Sequence, residues 1–381
     1  MSLTCNTAYN PARNPLGCAD QPRNPVQLHS LRTTTLDPAE RGQAIASNFG
    51  PLIKRNAADY LVHFSRMQIP SSTVRTIAVN THEALRAWDA DLAVELEAQA
   101  AALGIDLWQL AALNARTEVL AAAPPSKEGE CSTAVFIPGQ GAPASFQTWD
   151  WHPHLASDGL LHELVCREGR RVKLFTEFGI SGKIGVNSDG LGVHFNILAH
   201  EADKAGAGVP VHSIARSILE RAGSIAEAID LTEGVAVSAS TVLTVVQGGA
   251  QPEAASIEFS PTGRRIVNRT KSGWALHTNH FLDHGLFAGD TMPADSTTAE
   301  RYSYLAERTA GSHPASSKEI AGILSSRTGE TPVLCMRPEP GKAAIEQWET
   351  LLSIGIDTEN FELNYFAGNP DASARNGLLT F

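Results

Sequence analysis

Cysteine is scarce in this chain, and none of it sits in a redox or metal-binding spacing. The five cysteines, at positions 5, 18, 131, 166 and 335, form no CxxC pair. An odd, scattered set argues against a disulfide framework. Basic charge is also short: the net charge is −11, which disfavours nucleic acid or an anionic membrane as partner and leaves small molecules. No apolar run reaches the ~18 residues of a membrane span. Met1-Ser2-Leu3-Thr4-Cys5-Asn6 has neither the basic start nor the apolar stretch of a signal peptide, so the expected location is the cytoplasm. Gly248-Gly249 lacks the Gly-Lys-Ser/Thr ending of a phosphate loop. His277, His280 and His284 have a spacing that a metal site can use, but no acidic or cysteine ligand signature accompanies them. Neither a metal nor a cofactor is expected. What remains is an ordinary globular composition, 43% hydrophobic and 19% charged over 381 residues, enough for one large globule.

Residues 1–30 read as a polar leader arm, because Asn10-Pro11, Asn14-Pro15 and Asn24-Pro25 disfavour a continuous helix. Residues 31–130 read as a helical segment, with amphipathic helices over 38–66 and 81–120, where Leu85, Trp88, Leu92 and Leu96 recur at three- and four-residue spacing. From 131 the pattern turns to short β-branched and aromatic runs broken by glycines, the mark of antiparallel sheet. Helices are expected over 211–222 and 225–232, the second capped by Ser224, and again over 299–309 and 318–325. Strands are expected over 240–247, 254–259, 265–268, 351–356 and 362–366. Helices on both faces of two stacked sheets account for this α+β order.

The change of pattern falls at Glu130-Cys131-Ser132-Thr133. Ala121–Gly129 behind it is a loop that a protein can present for cleavage, and Ala134-Val135-Phe136-Ile137 ahead of it reads as a buried strand. A cysteine there has two readings. It is a buried core residue, as cysteine often is. Alternatively, it attacks the Glu130 carbonyl, with Gly129 permitting the bend, and so becomes a new N-terminus whose α-amine, with a reference pKa of about 7.7–8.0, serves the thiol as its base.

Several further stretches carry a resemblance: Leu36-Asp37-Pro38-Ala39-Glu40-Arg41-Gly42, Leu113-Asn114-Ala115-Arg116-Thr117-Glu118, Gln147-Thr148-Trp149-Asp150, Phe175 through Asn196, and His277-Thr278-Asn279-His280. In order and approximate spacing they resemble the acyl-CoA:6-aminopenicillanic acid acyltransferase family (isopenicillin N acyltransferase-like, peptidase C45 type) of self-cleaving N-terminal nucleophile hydrolases. The resemblance implies a four-layer αββα sandwich with an N-terminal helical segment. It implies a zymogen cut before Cys131 into a 31–130 α-subunit, preceded by the leader, and a 131–381 catalytic β-subunit, the two held as one globule. On that basis Cys131 is the nucleophile and Gly129, Glu130 and Cys131 form the cleavage site. Asp150 orients the new amine, and Asn196 and Asn279 donate to the oxyanion. Asp150 also has a plain reading as a turn cap, and Arg116 reads equally as an anchor for the helical part or as a solvated helix residue. Where the family carries a late Ser-Arg pair, this chain has Glu346-Gln347-Trp348-Glu349, so no arginine matches.

The resulting expectation is an amidohydrolase cleaving a small N-acyl amide through an acyl-thioester on Cys131. The alternatives are acyl transfer from acyl-CoA to a small amine, and an uncleaved, inactive binding protein on the same fold.

Overall fold

Asp37 starts the first long helix: its carboxylate accepts the backbone N–H groups of Ala39 and Glu40, and Pro38 fills the first helical position, where a missing N–H costs nothing. The computed structural model describes residues 25–123, 130–293, 296–327, 330, 333–339 and 341–381. Gly129, Cys5, Cys18 and the arm's first 24 residues lie outside them. Strand β1 (Gln27–Thr33) precedes helices α1 (Pro38–Arg66), α2 (Ser71–Trp88), α3 (Ala90–Leu103), α4 (Leu107–Asn114) and α5 (Arg116–Leu120). Strands β2 (Ser132–Phe136), β3 (Ala144–Trp151), β4 (Asp158–Val165), β5 (Arg171–Thr176), β6 (Ile184–Asn187) and β7 (Leu191–Ile197) lead to α6 (Val211–Arg221) and α7 (Ile225–Leu231). Next come β8 (Thr241–Gln247), β9 (Glu253–Ser260), β10 (Gly263–Asn268), β11 (Trp274–His277), α8 (His284–Phe287), α9 (Thr298–Thr309) and α10 (Ser317–Leu324). The chain closes with β12 (Glu349–Asp357), β13 (Glu362–Phe366), α11 (Pro370–Asn376) and β14 (Leu379–Thr380).

The strands form two sheets, an eight-stranded one in the order β1-β4-β5-β6-β7-β8-β9-β10 and a six-stranded one in the order β11-β2-β3-β12-β13-β14. Their layering shows in neighbouring residues of β12. A side chain added at Gly355 would strike Ser317 of α10, whereas Ile356 packs into the space left by Gly192 of β7 in the other sheet. Gly185 of β6 makes room in the same way for Leu219 of α6. Helix, sheet, sheet, helix is therefore the order through the molecule, a four-layer αββα sandwich. Central strands covered on both faces need apolar residues throughout, which is why β8 reads Thr-Val-Leu-Thr-Val-Val and is buried along all six positions.

Several elements differ from the sequence reading, and the stretch read as helix over 81–120 is divided among the end of α2, α3, α4 and α5. Residues 27–30, placed in the arm, belong to β1, which pairs parallel with β4; His29 bonds Asp158 at 2.9 Å and Thr33 bonds His162 at 2.9 Å. Helix α2 begins at Ser71, ten residues before the expected start. Its first half is rich in β-branched residues, and burial of Val74, Ile77 and Ala78 on one face outweighs that weak propensity. Arg116 is an anchor: fully buried, it donates to Glu177 at 2.8 Å and to His212 at 3.2 Å and stacks over Trp151 at 4.1 Å. It joins the helical part to the sheet side of the protein.

Buried imidazoles set the acid stability. Burial lowers His63 to about 4, aided by nearby His154, and His162 and His194 to about 3. Burial also holds His152 and His212 well below the usual value. The unfolded chain takes up protons near pH 6.5 that the fold refuses, so this stability is lost as pH falls from there towards 4. Asp150 and Glu118, both raised to about 7 by burial, act in the opposite sense over the same window, as do Asp59 and Asp203, but four carboxyls oppose seven imidazoles once His82 and His280, also lowered by burial, are counted. We expect the thermal midpoint to fall steeply between pH 6.5 and 4; a flat melting profile across that range would contradict these assignments.

Candidate active site

Pairing of Ser132 with Thr148 sets the register of β2 on β3 and brings Glu130 and Cys131 to the start of an interior strand, 0% and 4% exposed. The Cys131 carbonyl accepts from Asn196 Nδ2 at 3.1 Å and Arg301 Nη1 at 2.7 Å, and Arg301 Nη1 also reaches Ser132 Oγ at 2.9 Å. The Glu130 carboxylate accepts from Arg301 Nε at 2.9 Å, Thr297 Oγ1 at 2.6 Å and Ser296 Oγ at 3.1 Å, at the N-terminus of α9. An anion suits that end of a helix. The residue before the cysteine is thus held by its side chain, and the cysteine by its carbonyl.

Burial raises the Cys131 thiol to about 12, the nearby Asp150 charge adds to that, and a hydrogen bond from the Asp150 backbone works against it. Cys166 and Cys335 are raised to the same value, so acidity does not single out Cys131; its neighbours do. Asp150 is 0% exposed; Oδ2 accepts from Thr148 Oγ1 at 3.3 Å, whereas Oδ1 has no hydrogen-bond partner. Burial raises its carboxyl to about 7 against the pull of Thr350 and Arg301. Lys183 lies close enough to feel the Cys131 charge. Burial brings its amine down to about 7, Arg116 lowers it further, and Glu177 pulls it back up. Its Nζ donates to Glu177 at 2.6 Å and sits 4.1 Å over the Trp149 ring. The site therefore holds a polar shell without an exposed charge.

Asn196 is locked by Thr133 Oγ1 at 2.7 Å and Gln147 Nε2 at 3.3 Å, both donating to its Oδ1. Asn279 accepts from Arg301 Nη2 at 2.9 Å and donates to the Ile197 carbonyl at 2.9 Å. Cys131 and Asn196 are thus joined directly, Asn279 joins through Arg301, and Asp150 lies beside the thiol. Of the histidines singled out by spacing, His277 bonds Glu258 at 2.8 Å and His280 bonds Thr298 Oγ1 at 3.0 Å. Among the described residues, no group of three or more His, Cys, Asp or Glu is arranged to hold a metal ion.

Arg301 is the residue that sequence reasoning missed. It occupies a helix position whose neighbours on the same face, Thr298, Leu305 and Thr309, are all buried. An arginine on the buried stripe of an amphipathic helix was the available signal.

This chain is an enzyme of amide acyl transfer or hydrolysis. The sequence profile described as acyl-coenzyme A:6-aminopenicillanic acid acyl-transferase matches residues 139–372, and the chain belongs to that family. The match includes Asp150, Asn196, Asn279 and Arg301 and begins after Cys131. A relative from Emericella nidulans, the acyl-coenzyme A:6-aminopenicillanic-acid-acyltransferase 40 kDa form, is 28% identical over 280 residues, covering 72% of this chain and 74% of its own. Among solved structures, penicillin V acylase from Agrobacterium tumefaciens aligns with a TM-score of 0.40 at 14% identity, over 62% of this chain and 83% of its own. A variant of conjugated bile acid hydrolase from Clostridium perfringens aligns at 0.38 and 12% identity, over 66% and 84%. No helix among the described residues is long and apolar enough to cross a membrane.

Proposed function

We propose that this enzyme cuts its own Glu130–Cys131 bond and then opens a small N-acyl amide through an acyl-thioester on Cys131, which water hydrolyses. The observation that carries the reading is the buried, unpartnered Oδ1 of Asp150 beside the thiol. In the uncut chain residue 131 offers only a neutral amide. After cleavage it offers an ammonium, and a buried carboxylate with spare acceptor capacity is a fitting partner for it. Attack of the thiol on the Glu130 carbonyl forms the thioester, the 131 nitrogen takes the proton, and water then releases the Glu130 carboxylate. In later turnovers the α-amine takes the thiol proton and gives it to the departing amine. The two fragments stay associated through the buried Arg116–Glu177 and Tyr60–Glu177 contacts, which cross from the helical part to the sheets.

A second reading, transfer of the acyl group from acyl-CoA to an amine, is favoured by the activity in the name of the Emericella nidulans relative. Acceptor competition separates the two. With an acyl amide as donor and a panel of amines, the hydrolase releases product acid at a rate the amines leave unchanged. Efficient amide formation from acyl-CoA, absent in Cys131→Ala, would overturn hydrolysis in favour of transfer, because a transferase must position its acceptor and keep water from the thioester.

A further inference from the structure

Ile197 follows Asn196 and accepts the Asn279 amide, and it also lines a cavity of about 300 Å³. Leu120, Ala121, Leu198 and Ala239 make its walls largely apolar. Thr117 of α5 lines it as well; the residue is 5% exposed, and its Oγ1 has no hydrogen-bond partner. Glu201 and Asp203 also line it, together with Thr291 and His200, whose Nδ1 accepts the Ala202 N–H. Among the described residues, no lysine or arginine lines the cavity, and neither carboxylate makes an ion pair. Asp203 accepts from Ser240 Oγ at 2.6 Å and the His200 N–H at 2.9 Å, and burial still holds its carboxyl above the usual range. A third carboxylate, Glu118, lies within reach of the Asp203 charge. Its Oε1 accepts the Val211 N–H at 2.8 Å and its buried Oε2 has no partner. Acidic groups thus gather at an apolar cavity whose described lining holds no lysine or arginine; the opposing charge that Glu118 feels, Arg116, is already paired with Glu177.

We propose that this cavity receives an apolar stem ending in an ammonium group, carried on the acyl or the amine half of the amide opened at Cys131, and that it rejects stems ending in a carboxylate or phosphate. The proposal rests on the acyl-thioester reading above. An ammonium would supply a counter-charge that Glu201 and Asp203 lack among the described residues and offer a donor to the Thr117 hydroxyl. An anion would meet like charges there.

The test uses two series of matched amides whose five-carbon stem ends in an ammonium, a hydroxyl or a carboxylate, placed on the acyl half in one series and on the amine half in the other. An activated acetyl ester, too small to need the cavity, reports the Cys131 thiol by burst kinetics. We expect kcat/KM to favour the ammonium over the hydroxyl by about tenfold in one series, with the carboxylate lowest; that series assigns the half. The preference should shrink in Asp203→Asn and in Glu201→Gln, the latter at an exposed position where folding is not at risk. A normal burst with no charge preference in either series, or with the carboxylate preferred, overturns the cavity assignment alone. Absence of the burst overturns the thioester reading and this inference with it.

Discussion

Cys131→Ala is expected to remain one 381-residue chain and to lose turnover by on the order of 10⁶ in kcat, the scale seen when a covalent nucleophile is removed. Both effects have one cause, because the proposed self-cleavage and the proposed turnover use the same sulfur. The variant should fold, since the clamp on residues 130 and 131 runs through the Glu130 carboxylate and the residue-131 carbonyl, neither of which the substitution touches. Wild-type protein should give fragments 1–130 and 131–381 by intact-mass analysis. Full-length wild-type protein that still turns over substrate would refute the cleavage step. An uncut and inactive wild type would favour a binding protein.

Asn196→Ala and Asn279→Ala should each lower kcat by about 10²–10³ if each amide supplies an oxyanion donor. Every Asn amide carries two N–H groups. Asn196 uses one on the Cys131 carbonyl and Asn279 one on the Ile197 carbonyl, so one remains on each. Both amide oxygens are fixed, by Thr133 and Gln147 in one case and by Arg301 in the other. A donor held this way needs no reorganisation when charge develops. Cleavage should persist in Asn196→Ala, because Arg301 still binds the Cys131 carbonyl. A kcat within a few-fold of wild type in a folded, cleaved variant would remove that asparagine from the mechanism.

The site was legible in the sequence where it follows the chain. Cys131 stood out because it marks a change of period from helix to strand, a local property. Glu130 was named only as the bond to be cut. Its side-chain clamp on Ser296, Thr297 and Arg301 brings together residues some 170 positions apart, and no local pattern reports such a pairing. Arg116 was left open between two roles because its buried partners, Glu177 and His212, lie 61 and 96 positions away, beyond the reach of any local pattern. No arginine stands where the family carries its late Ser-Arg pair, yet Arg301 reaches the Cys131 carbonyl from α9.

Composition, period and turn residues by themselves determined the α+β order, most helices and strands from residue 131 onward, and the cysteine at the junction, because these follow from interactions among residues a few positions apart. Tertiary structure decided the rest. It made a strand of Gln27–Thr33 by giving it β4 as a partner, and it made a helix of the β-branched Ser71–Asn80 stretch by burying one face. It also drew Arg301 and Asn196 onto the Cys131 carbonyl and placed carboxylates at an apolar cavity. Burial and long-range pairing carry those free energies, and both depend on which distant segments meet when the sheets stack.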